Sequence, residues 1–105
     1  MEAPPTPTVE FVPLRTHPHV GCRDGAISGV LVTDSRTGAG ISVGATAVAI
    51  VWPLGFSAVR IDGVMHLLDG SGTPVAREGD QIRLGGGYGV EPGVWVGCNV
   101  TKTRS

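Results

Sequence analysis

The sequence predicts an all-β fold: a small antiparallel barrel of five to six strands of the OB type, with a small β-sandwich as the alternative. Three observations carry this. The chain has 17 glycines and 8 prolines among 105 residues, and both residue types are poor in helix interiors and frequent in tight turns. Short apolar or alternating runs recur with turn chemistry between them. No stretch shows helical periodicity bounded by caps. Glycine-interrupted strands such as RLGGGYG suit the corners of a barrel.

Taken in order, MEAPPTPT reads as a flexible Pro/Thr-rich leader or tether over residues 1–8. VEFVPL (Val9 to Leu14) alternates and then meets proline, which confines it to a sheet edge. AISGVLVTD (Ala26 to Asp34) follows and ends in the polar turn DSRTGAG. ATAVAIVW (Ala45 to Trp52) is apolar throughout and short, the signature of a central strand buried on both faces. Pro53 and Gly55 break it. AVRI and VMHLLD flank Asp62-Gly63, a two-residue hairpin signal. Asp69 to Pro74 is a further turn, VARE a short strand, and Glu78-Gly79-Asp80 a polar hairpin tip before QIRLGG. Gly85 to Gly87 marks a bend, a bulge or a close backbone approach. VWVGCNVTKT closes a single domain over residues 9–102, leaving 103–105 as a disordered tail.

Composition excludes several function classes. Charged residues make up 16% and the net charge is −1, so no basic stripe exists to neutralise phosphates, and nucleic acid is not an expected partner. No apolar run approaches the roughly 20 residues of a membrane-spanning helix. The triple glycine is followed by neither a helix nor a Lys-Ser/Thr pair, so it is no phosphate loop. The serines lack a G-x-S-x-G context and the histidines form no triad pattern. The expectation is a non-catalytic protein without a cofactor. Asn99-Val100-Thr101 matches the glycosylation sequon and reads as part of a strand.

Two constellations remain. HPHVGC (residues 17 to 22) precedes the first long strand, and the only other cysteine is Cys98 in the last. A Cys22–Cys98 disulfide would close a loop of about 75 residues and stabilise a small core by about 4 kcal/mol, in an extracellular or envelope compartment. The rival is a copper or zinc site using His17 and His19 of the His17-Pro18-His19 segment, with His66. The spacing matches no standard finger, so no metal is the leading expectation. The second constellation is VWPLGFSAVR, where Trp52 and Phe56 sit in a turn. Either they fold back to cap the core, or with Arg60 and Tyr88 they line a ligand-binding surface.

AIVWPLGFSAVRIDG, then LLDGSGTPVAREGDQIRLGGGYG, then a late cysteine, resemble small uncharacterised secreted or lipid-anchored proteins of actinobacteria. The resemblance spans roughly residues 22 to 98. It implies a secreted or cell-surface location with a lipid anchor upstream in the full-length protein, although Met1 stands where a lipid-accepting cysteine would precede EAPP. The leading expectation is thus a cell-envelope or secreted binding module that recognises a small ligand, glycan or protein partner through Trp52, Phe56, Arg60 and Tyr88. A metal-binding protein and a purely structural envelope domain are the alternatives. The edge strand at Val9 to Leu14 could pair between chains, so a monomer or weak dimer is expected.

Overall fold

A computed structural model describes residues 8–18 and 22–104, with side chains to residue 102. The leader before Thr8, His19 and Ser105 lie outside the described residues. Ten strands follow one another: β1 (Val9–Val12), β2 (Thr16–His17), β3 (Gly25–Asp34), β4 (Gly38–Val43), β5 (Thr46–Pro53), β6 (Ser57–Ile61), β7 (Val64–Leu68), β8 (Pro74–Arg77), β9 (Gln81–Tyr88) and β10 (Val94–Arg104). Among the described residues there is no helix.

The strands form a four-stranded sheet, β1-β6-β7-β8, and a six-stranded sheet, β10-β9-β3-β4-β5-β2. All neighbours are antiparallel except that β2 and β10 each run parallel to β5. The all-β expectation holds, and the two-sheet alternative describes the chain better than one barrel of five to six strands. The strands beyond those expected are β2 and β4, the latter starting inside the stretch expected to be a turn; β6, β7 and β8 form where short strands are expected, but such short runs do not assign them to a separate layer. The larger sheet nevertheless curls until its flanks meet. Val94, Trp95 and Val96 of β10 pair with Ala49, Ile50 and Val51 of β5, so β3, β4, β5, β10 and β9 close a hydrogen-bonded ring.

Alternation fills that ring. Leu31, Ile41 and Val48 are directly opposed across β3, β4 and β5 and are 0, 0 and 4% exposed; Ile50, Trp52, Ile82, Leu84 and Trp95 join the same cluster. The smaller sheet lies over it. Its inward row, Val12, Ala58, Leu67 and Ala76, runs across all four strands and belongs to the same core. β5 is buried on both faces as expected, because Ala49 and Val51 pack with Val94 on the outer side.

The hairpin at Asp62-Gly63 forms, with both residues at positive φ (49° and 84°), the combination a tight two-residue turn requires. Gly86 fulfils the close-approach reading of the glycine run: its φ is +147°, and a Cβ there would stand 2.0 Å from the Val96 carbonyl oxygen. Opposite it, β10 carries a bulge between Gly97 and Asn99. Cys98 is the extra residue. The bulge re-aims its side chain, and it bonds to Cys22 with the Cα atoms 6.1 Å apart, within the usual range for a disulfide. β10 runs on through residue 104, paired with Gln81, so strand pairing extends two residues into the expected tail at 103–105.

Candidate functional site

An open groove of about 500 Å³ lies where the end of β1 and the linker to β2 face the β3–β4 turn. Its construction starts from Pro13, which cannot donate to a ladder and ends β1. The chain then crosses to the other sheet, where the Arg15 N–H donates to Thr37 O and Arg15 O accepts from the Trp52 N–H, both at 2.9 Å. Gly38 permits this crossing. Its φ is +94° and a Cβ would meet the Pro13 carbonyl oxygen at 2.0 Å.

The facing wall is a charged turn. Asp34 Oδ1 accepts from the Arg36 backbone N–H at 2.8 Å, and the carboxylate receives Arg36 Nε at 3.2 Å and Nη2 at 2.9 Å. The Arg36 hydrogen bonds, foremost that of its side chain, hold the Asp34 carboxyl below its ordinary range although burial opposes them. Arg36 also reaches the carbonyls of Ala47 at 3.3 Å and Gly93 at 3.5 Å, which ties the turn to two neighbouring loops. Thr37, 2% exposed, donates to Ala39 O and accepts from the Ile50 N–H. On the linker side Arg15 grips Glu91 with both guanidinium arms, and this hydrogen bonding lowers the Glu91 carboxyl.

Three guanidinium groups therefore border the groove, and two are already matched by carboxylates. The third is Arg60, from β6. Its Nη2 makes only a long contact to Thr33 Oγ1, 3.4 Å, while Thr33 Oγ1 in turn donates to Glu78 at 3.4 Å. Among the described residues no carboxylate lies within ion-pair distance of Arg60. Phe11, 85% exposed, adds an apolar lip.

The four residues expected to share a ligand surface are divided. Trp52 is 0% exposed, its indole Nε1 donates to Ala39 O at 3.0 Å, and its ring stacks on Phe56 at 6.3 Å between centroids. Those two rings fold back onto the core, so the capping reading of the pair holds. Arg60 alone lines the groove. Tyr88 stands edge-on to Trp95 at 5.0 Å and borders a separate small pocket with Arg23 and Cys98. The physical reason is alternation: a fully buried strand sends Trp52 inward, whereas Arg60 lies at the periphery of a different sheet.

The histidines are likewise apart. His17 Nε2 lies 2.7 Å from Gly97 O and Nδ1 lies 2.9 Å from Pro18 O. His17 lines one pocket of about 260 Å³ and His66 another of similar size beside Arg77, Asp80 and Lys102, with no residue in common. Cys22 is consumed by its disulfide. Among the described residues no group of three or more His, Cys, Asp or Glu is placed to hold a metal.

The sequence reading missed Arg15, Asp34 and Arg36. The Asp-x-Arg signature of DSRTG, an Asp able to bond the backbone two residues on, was the available signal. Comparison with known proteins brings no relative: no family model, no curated protein and no solved structure matches the chain.

Proposed function

We propose that this protein is a non-catalytic, secreted or cell-envelope binding module whose groove takes a small carboxylate-bearing ligand, an acidic sugar being the fitting class. The observation that carries this is the Arg60 guanidinium, set on the groove wall with no carboxylate within ion-pair distance among the described residues. A planar guanidinium recognises a carboxylate through two parallel hydrogen bonds. The paired Arg15 and Arg36 hold the walls rather than the ligand. The disulfide supports the compartment, since such bonds persist in oxidising surroundings. A lipid anchor upstream belongs to the same reading.

The test is an NMR titration of ¹⁵N-labelled protein with glucuronate and with succinate, using glucose as the uncharged control. The expected result is carboxylate-dependent shifts at Thr33, Arg36 and Arg60, with affinity in about the millimolar range for such small probes. Arg60→Gln should abolish them without unfolding the chain. Shifts that persist in Arg60→Gln, or no shifts with either acid, would overturn the assignment.

A further inference from the structure

The four-stranded sheet ends at β1, whose only strand partner among the described residues is β6. The Asp62 N–H donates to Thr8 O, which fixes the alternation of this antiparallel ladder. Glu10 and Val12 then turn their backbone groups toward Arg60 and Ala58, while Val9 and Phe11 turn theirs outward. Neither Val9 nor Phe11 makes a backbone bond on that outer side among the described residues. Their side chains share the sheet face away from the core, in line with Val59, Ile61 and Val64. Val9, Phe11 and Val64 are 58, 85 and 40% exposed.

We propose that this edge pairs with the same edge of a second copy, antiparallel, with the two-fold axis passing beside Glu10. Val9 of one chain and Phe11 of the other then exchange both backbone hydrogen bonds, and the reciprocal pair does the same, so all four outward groups are satisfied by identical partners. The register also sets each Phe11 ring beside the partner subunit's Val9, and the exposed apolar face continues across the axis. Arg60 stands directly across the ladder from Glu10 within each chain, so the row reads Arg60, Glu10, then Glu10 and Arg60 of the partner subunit, with no net charge. The two Glu10 side chains meet at the axis as like charges, which weakens the pairing. One short edge buries far less than the roughly 1,000 Å² of a stable interface, so the dimer is weak, with a dissociation constant on the order of 0.1 mM.

Sedimentation equilibrium of the full chain across about 10 µM to 1 mM, a range bracketing that constant, should show the mean mass rising toward a dimer. The Val9 and Phe11 amide signals should move downfield over the same range. Phe11→Lys should weaken association about fivefold or more, and Glu10→Gln should tighten it about two- to fivefold, by relieving the axial repulsion. Leu54→Lys, at an exposed apolar site on a turn outside β1 (67% exposed), should leave it unchanged. A mass that stays monomeric, a Glu10→Gln variant that associates no better, or a Leu54→Lys effect as large as that of Phe11→Lys would each overturn the proposal. None of these readouts depends on the groove binding a ligand.

Discussion

Replacing both cysteines, Cys22→Ser together with Cys98→Ser, isolates what the cross-link contributes while leaving no unpaired thiol. The bond spans a sequence separation of 76. In the chain-entropy treatment a closed loop of that length removes about 15 cal/mol/K from the unfolded ensemble, or about 4.5 kcal/mol at 25 °C. The whole domain is expected to have about 5–15 kcal/mol of stability, so the loss is a large share of it. The melting temperature should fall by about 20 °C or more. Guanidinium unfolding followed by tryptophan fluorescence measures it, with intact mass after denaturing alkylation confirming that the native chain takes no adduct until it is reduced. The variant should also show a larger m-value, since its unfolded chain is less constrained. A difference under about 1 kcal/mol, well short of the loop-closure value, would refute the argument that this bond fastens a small core.

Two further outcomes follow from packing and charge. Gly86→Ala forces a Cβ onto the Val96 carbonyl at a positive φ, and should cost about 3 kcal/mol or more, read as a shifted urea midpoint. Asp34, Asp80 and Glu91 all titrate below their ordinary range in the folded chain; for Asp80, burial is the largest influence and raises the carboxyl, but the Arg77 N–H and Lys102 together outweigh it. The unfolded chain therefore binds these protons more readily, so the stability is present above about pH 4 and is lost as the pH falls below it. Urea midpoints measured downward from pH 7 should decline below that point, and Asp34→Asn should flatten part of the decline; an unchanged slope would sink the assignment.

The fold class was legible because alternation and turn residues are local signals. Ala45 to Trp52 announced a doubly buried strand through its unbroken apolar run, Asp62-Gly63 announced its hairpin, and the two cysteines announced their bond through being the only pair. The division into two sheets was not legible, because pairings such as Ala49 with Val94 or Val9 with Ile61 join residues far apart in sequence and leave no periodic mark. The candidate site was half legible. Arg60 stood out as the cation near an aromatic turn, but its partner across the groove is the DSRTG turn, brought there by the crossing at Pro13 to Arg15. Trp52 admits both a capping and a ligand-facing reading from sequence because proline and glycine follow its apolar run; its indole satisfies a buried carbonyl.

The parallel seam between β5 and β10 bears on how the chain comes to be folded. It joins residues 49–51 to residues 94–96, so the ring stays open until nearly the whole polypeptide is available. During synthesis β3, β4 and β5 can form a meander early, yet β5 then presents an apolar, unpaired flank that nothing upstream except the two residues of β2 can cover. Closure requires non-local pairing, which places such topologies among the slower folders. The exposed flank makes the unfinished chain the species most prone to misassociation. A chain whose last strand seals its core stays unfinished, and so vulnerable, until its C-terminal residues are in place.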